Sequence, residues 1–372
     1  MQKRNFVSLV FGSALAGSEG ATYLLGDKAN EARSDIDLAS GGENTLQSDE
    51  REILLLASLA PSGHNARPKF VKWIEPYHWI VGNDRSRWLT GVDPAPRETI
   101  LSLGAFLQNL EYAAYAFGYQ CQFSLLAASN QAEQVMDLRL VKADSQDQGN
   151  IGSMTLRHTV RGNLLSEPLR KADLARLVAD EGALIHYLPA VGKEAHFIKK
   201  QIYEANKLQT YREPAQQELA DWIKFSSADC RKYRDGLTMG GMAIEGLRGG
   251  VLRNFDHKAS VMNGNFRKRG TEQARHEVAT GAGWFLITSE DHSVATLLDT
   301  GRLMQRLFLK VRTLGTALHP MSQILENSAI RQTLPTGTGL GKNSQFAMRT
   351  GYLTSYPPQV SLRRPVSWFV RR

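Results

Sequence analysis

The chain has 372 residues, 42% of them hydrophobic and 22% charged, which gives apolar material for one large domain or two ordinary ones and excludes a disordered tail. Its formal charge is +8, from 45 Lys and Arg against 37 Asp and Glu, so anionic ligands are favoured in general. The densest basic run, Arg267-Lys268-Arg269, is short and lacks interleaved aromatics, so it reads as a solvated loop and no nucleic-acid partner is expected.

Residues 1–25 have the three-part layout of an export signal: Lys3 and Arg4, an apolar run from Phe6 to Leu15, then small residues at Ala14 and Ala16. The run is shorter than the about 20 residues a bilayer span needs. Lys3-Arg4-Asn5-Phe6-Val7 resembles the twin-arginine export motif with Lys3 in place of the first arginine, which leaves the general secretory route open. An exported, periplasmic protein that meets the export machinery is expected, the alternative being a cytoplasmic one. Residues 26–50 turn polar and read as a linker.

The first half is expected over residues 51–150. An apolar helical run, Ile53 to Leu59, stops at Pro61, and Pro61-Ser62-Gly63-His64-Asn65 forms a turn that Gly63 permits. Asn65 offers a donor and an acceptor on one plane, which suits the edge of a flavin pyrimidine, or it is a local cap in an ordinary turn. Strands follow at Phe70–Trp73 and Trp79–Val81, then a helix whose apolar positions run from Leu103 to Phe117 and which Gly118 ends, then a strand from Cys121 to Leu126.

The second half, residues 151–372, opens with Ile151-Gly152-Ser153-Met154-Thr155-Leu156-Arg157-His158-Thr159-Val160-Arg161. In extended chain Arg157, Thr159 and Arg161 share a face and would present two guanidinium forks and a hydroxyl to a phosphate; otherwise they are a solvated edge. The pair Arg363-Arg364 is a weaker candidate for the same role. Residues 199–225 read as amphipathic helix, and about 199–236 as a lid. A strand at Trp284–Thr288 and a helix from Leu303 to Leu314, closed by Gly315, repeat the first half's plan at offsets of 205 and 197.

Other chemistries fit poorly. Gly337-Thr338-Gly339-Leu340-Gly341-Lys342-Asn343-Ser344 has Thr336 and Asn343 where a P-loop needs Gly and Ser or Thr, so it reads as a flexible loop. No two histidines or cysteines have metal spacing, and Cys121 and Cys230 are either two thiols or one bridge. Ser62 lacks the flanking glycines of a nucleophile elbow.

Taken together, these motifs resemble the FMN-dependent nitroreductase superfamily, in its long tandem Acg-like branch, over about residues 51–370. The resemblance implies an α/β (α+β sandwich) fold in which two related halves form an intrachain pseudo-dimer, so that a monomer holds one flavin. Arg157, Thr159 and Arg161 match the family's Arg-x-Ser-x-Arg clamp for the FMN phosphate and ribityl chain, with Thr for Ser. Pro61, Ser62 and Asn65, with Gly63 in the turn, match the stretch that contacts the ring from the other half. His319 and Pro320 lie in a loop running past the flavin, and Arg363 and Arg364 match C-terminal arginines. Asn65-Ala66-Arg67-Pro68-Lys69 departs from the family's Asn-x-Gln-Pro-Trp. The implied activity passes electrons from a reductant such as NAD(P)H through FMN to an electrophilic acceptor such as a quinone or nitro compound, no side chain being expected to act as obligatory acid or base. The alternative is a flavin-sequestering protein whose site is covered.

Overall fold

The computed structural model describes residues 46–372 apart from 145, 180–182 and 243–257, so the expected export signal and nearly all of the expected linker lie outside the described residues. Helix α1 (Ser48–Ala57) starts where the Gln47 N–H donates to Glu50 (2.7 Å) and Asp49 and Glu50 place negative charge in the first turn. Glu50 is fully buried and also accepts from the Tyr77 N–H (2.6 Å) and the Trp79 indole (3.2 Å). Residues 48–50, expected in the linker, are therefore a structural turn of this helix.

The first half continues as β1 (Lys69–Glu75), β2 (His78–Asn83), α2 (Arg97–Ala116), β3 (Tyr119–Leu125) and β4 (Gln134–Lys142). Short helices α3 (Ile151–Leu156) and α4 (Lys171–Val178) lead to β5 (Ile185–Pro189). A helical insertion then carries α5 (Lys193–Thr210), α6 (Glu213–Trp222), α7 (Ser227–Tyr233), α8 (Lys258–Val261) and α9 (Gly264–Ala279). The second half resumes with β6 (Gly283–Ser289), α10 (Val294–Val311), β7 (Thr316–Pro320), α11 (Gln323–Glu326), α12 (Ser328–Gly337), β8 (Asn343–Tyr352) and a terminal β9 (Val370–Arg371).

Two sheets result, ordered β3-β4-β2-β1-β9 and β5-β6-β8-β7. Read backwards, the second gives β7-β8-β6-β5, which matches β3-β4-β2-β1 strand for strand, all antiparallel. Even the irregularity repeats: β2 shifts register against β4 between Val81 and Gly82, and β6 against β8 between Ile287 and Thr288, an offset of 206 (287 − 81). Trp79 thus corresponds to Phe285, one residue beyond the Trp284 suggested by sequence, because matching two tryptophans ignores the ladder.

The halves meet where α2 crosses α10. A Cβ on Gly104 would lie 2.0 Å from the Leu298 carbonyl oxygen, and one on Gly301 would lie 2.0 Å from that of Leu101. These are two copies of one contact, offset by 197 (301 − 104), and the backbones come this close because neither glycine carries a side chain. Polar pairs repeat it: Gln305 Nε2 donates to Asn109 Oδ1, and Arg306 Nη1 to Gln108 Oε1, each at 2.7 Å. Gly118 and Gly315, both at positive φ, follow the paired helices at the same offset of 197 (315 − 118). Apolar faces of α1, α2 and α10 and of both sheets merge into one continuous core, with Phe106, Leu110, Leu307 and Phe308 almost fully buried.

Two smaller expectations are corrected. Arg267 is not in a solvated loop but buried on α9, donating to the Met262 and Thr210 carbonyls and pairing with Glu213 (2.7 Å). The stretch read as a flexible loop at 337–344 is shorter, lying between the end of α12 and the start of β8. Cys121 and Cys230 are both free thiols. No helix among the described residues is long and apolar enough to cross a membrane.

Candidate functional site

After α1 the chain must reverse into β1, and it does so through residues 61–67 with His64, Asn65 and Arg67 all at positive φ (47°, 55° and 59°). Such geometry in residues with a Cβ costs on the order of 1 kcal/mol or more each and persists only where neighbours fix it. They do. Arg67 sends its guanidinium back under the turn to the Ser58, Ala60 and Leu362 carbonyls, while its N–H donates to Ser62 Oγ (3.1 Å). Gly63 does not itself take a positive φ; a Cβ there would stand 2.8 Å from Leu89 Cδ1, so the tip of that side chain would have to shift.

The eleven-residue opening of the second half is helical only as far as Leu156, and Arg157 turns the chain extended (φ −63°, ψ 129°). Arg157, Thr159 and Arg161 then face one cavity together with Pro61, Ser62, His64 and Asn65. Gly236, Leu237, Thr238 and Gly241 of the insertion and Ser361 and Arg363 near the C-terminus complete the lining. Four arginines, Arg67, Arg157, Arg161 and Arg363, thereby line one cavity from separate stretches of the chain. Arg157 stacks over Phe308 of α10 (5.3 Å to the ring centroid), and Arg161 donates to the Gly241 carbonyl.

The crowd of cations is felt by its neighbours. Burial and then the charge of Arg161 push His64 from 6.5 down to about 4, so its ring is neutral near pH 7. Lys69, buried behind the turn between Phe106 and Phe369, is held well below its ordinary value by burial and then by Arg67, Arg363, Arg364 and Arg87.

Asn65 does not present a free amide. Its Nδ2 donates to the Gly236 (3.1 Å) and Leu362 (3.2 Å) carbonyls, and its Oδ1 lies 3.4 Å from Arg363 Nη1. It ties the turn to the insertion and to the C-terminal segment. Gly236 (φ +79°) is needed at this junction, since a Cβ would stand 2.3 Å from the Trp222 carbonyl oxygen. The insertion is fastened further by Asp235, which pairs with Arg87 and lies 3.6 Å from Lys224. Glu218 adds to this by accepting from the Gly91 (2.7 Å) and Val92 (3.1 Å) N–H groups.

Three expected site residues stand elsewhere. His319 and Pro320 are in strand β7, not in a loop, and His319 is buried with Nδ1 3.2 Å from Arg349 Nη2; burial and the Arg349 charge keep its ring well below the ordinary histidine range. Arg364 points away from the cavity, donating to the Trp368 carbonyl (2.9 Å). Conversely, Leu237, Thr238, Gly241 and Ser361 carry no motif that marks them in the sequence, whereas Arg67 stands where the matched turn has Gln and Gly236 closes the expected lid.

The arginine cavity holds about 60 Å³, and a second cavity of about 440 Å³ adjoins it, sharing Thr159, Arg161, Gly241 and Ser361. Among the described residues no group of three His, Cys, Asp or Glu could hold a metal ion.

No protein-family model and no curated protein matches the chain. Among solved structures it is similar to a nitroreductase-like family protein from Bacillus cereus, at 11% identity and a TM-score of 0.32 over 61% of this chain and 96% of that one. It is also similar to a candidate nitroreductase from Anabaena variabilis, at 11% identity and a TM-score of 0.41 over 86% and 91%. Both likenesses are too distant to assign a family; the mixed α/β architecture of two matched halves stands on the strand order itself.

Proposed function

We propose that the chain is an FMN-binding oxidoreductase of nitroreductase type, holding one flavin where its two halves meet. The observation that carries this reading is the convergence of Arg67, Arg157, Arg161 and Arg363 on one cavity beside the Pro61–Asn65 turn. Guanidinium forks match phosphate oxygens in pairs, and burial strengthens each charge-assisted contact. The residues fit the group in size as well as charge. The arginine cavity of about 60 Å³ takes a phosphate, and the adjoining cavity of about 440 Å³ is within the roughly 300–1,000 Å³ of small-molecule sites.

When bound, the flavin supplies hydride or electron transfer between a reductant such as NAD(P)H and an acceptor such as a quinone or nitro compound. Arg157 and Arg161 hold the phosphate, and Thr159, which borders both cavities, offers a hydroxyl to the chain beyond it. Neutral His64 adds no charge, and Gly236, Leu237, Thr238 and Gly241 of the insertion form part of the wall. The branch assignment, an exported periplasmic location and a monomeric state belong to the same proposal, the location resting on residues 1–25 of the sequence.

Flavin sequestration is a second reading, and one observation favours it: the Asn65 amide is already spent on holding the insertion over the turn. The visible spectrum of the purified protein tests both. Flavin bands released by heating and matching FMN support either reading, and a colourless protein that takes up no added FMN overturns both. Stopped-flow mixing with NADPH then separates them, since an open site bleaches and a covered one stays oxidised.

A further inference from the structure

Arg161 is the arginine that borders both cavities, and among the described residues its guanidinium spends a single donor, on the Gly241 carbonyl. Arg67 and Arg363, by contrast, direct theirs to carbonyls around the turn. Arg161 is thus the side chain with most left to offer a ligand, and where it stands depends on its backbone. The Val160 N–H before it donates to the Leu318 carbonyl of β7 (3.3 Å), and Asn163 beyond it redirects the chain at φ 59°. Between these two points the Arg161 carbonyl accepts from Arg349 Nη2 at 2.6 Å.

We propose that Arg349 is the positioning residue that sets Arg161 against the phosphate group, and so gives the site its preference for a phosphorylated over an unphosphorylated flavin. Arg349 is almost fully buried on β8, in register with Trp284 on β6 and His319 on β7. Its other arm, Nη1, donates to Thr280 Oγ1 (2.7 Å) and to the Glu277 carbonyl at the end of α9. His319 is neutral, so its Nδ1, 3.2 Å from Nη2, accepts as well. Gly281 leaves room for the stem, since a Cβ there would stand 3.2 Å from Arg349 Cγ and 2.8 Å from the Thr350 carbonyl oxygen. A planar fork held at both arms by α9 and β7 is rigid, and it passes that rigidity to the one backbone group it grips on the arginine stretch. Arg349 itself lines neither cavity, so it acts through Arg161 rather than on the ligand.

This role rests on the flavin reading above, and its test is equilibrium dialysis of the full chain against FMN and, separately, against riboflavin, which lacks the phosphate. Arg349→Lys keeps the positive charge, but a single ammonium cannot span from α9 to the Arg161 carbonyl. It should weaken FMN binding about tenfold and leave riboflavin unchanged, whereas a general loosening would weaken both alike. In an Arg161→Ala background the same change should have no further effect on FMN. An unchanged FMN affinity, equal losses of both flavins, or an effect that adds fully to that of Arg161→Ala overturns the role of Arg349 while the flavin reading stands. A wild type that takes up neither flavin overturns both. If Arg349→Lys does not fold, Thr280→Val decides, because it removes an acceptor that holds Arg349 in place. A loss of roughly threefold in the preference for FMN over riboflavin supports the proposal, and an unchanged preference overturns it.

Discussion

The two halves share strand order, a register shift and a central helix, yet the first joins its β1 and β2 through residues 76–77 while the second joins β5 and β6 through residues 190–282. The first half contributes the strained turn, and the second contributes the extended arginine stretch and the cover. A symmetric pair would build two equal sites. Here the second half's equivalent of the turn falls after α4, where the chain reaches β5 by residue 185 with no room for a stretch like 58–68. The two halves repeat one frame, and their unequal loops gather the polar groups on one side.

The comparison can be broken most severely at the insertion. Removing the carboxylate in Asp235→Ala leaves Arg87 and Lys224 without it in a buried setting, a loss of about 3–5 kcal/mol. Native-state hydrogen exchange should show amides of residues 193–241 opening while those of α2 and α10 stay protected; equal loosening of both would mean the insertion is not a separable layer. Next comes the helix crossing. Gly104→Ala and Gly301→Ala should each cost about 2–3 kcal/mol in urea unfolding, by nearly the same amount, since each pushes a methyl into the partner's carbonyl. The double variant should cost less than the two added, because either change already parts the helices. Strictly additive costs would speak against a shared crossing.

Smaller effects sharpen the view of the site. Arg161→Ala should weaken FMN retention by about 10–100-fold, the worth of a charge-assisted hydrogen bond, without moving the unfolding midpoint by more than about 1 kcal/mol. Equilibrium dialysis against free FMN measures it, and unchanged retention would remove Arg161 from the phosphate site. The smallest expected effect is titration of His64. Its pKa falls from 6.5 in the unfolded chain to about 4 in the folded one, so its stabilising share is complete above pH 6.5 and is lost as pH drops toward 4. Relative to His64→Gln, the wild type should lose on the order of 1 kcal/mol over that window, as the residue is only partly shut off from water. A difference that stays constant with pH would place His64 in solvent.

Much of the frame was legible in the sequence because it rests on local rules. Apolar spacing at three and four marked α2 and α10, and a glycine that can take positive φ marked each end. Pro61, Ser62 and Asn65 do meet Arg157, Thr159 and Arg161, although these stretches are far apart in the chain. What escaped depends on tertiary partners. Nothing around Asn65 says that its amide will be claimed by Gly236 and Leu362, and nothing around Arg67 says that its charge will sit under the backbone. His319 and Pro320 were expected in a loop on the strength of the resemblance, whereas pairing with β8 makes them the end of a strand.

The parallel strand β9 beside β1 has a consequence for how the protein is made. Val71 pairs with Val370, and the Val71 N–H bonds the Phe369 carbonyl at 2.8 Å, so the edge of the first sheet is sealed by residues about 300 positions later. A ribosome adding roughly 5–20 residues per second leaves that edge bare for on the order of 15–60 s after β1 emerges. During this interval an exposed, paired-on-one-side strand is a template for neighbouring chains, and the nascent first half depends on whatever shields it until its own far end arrives.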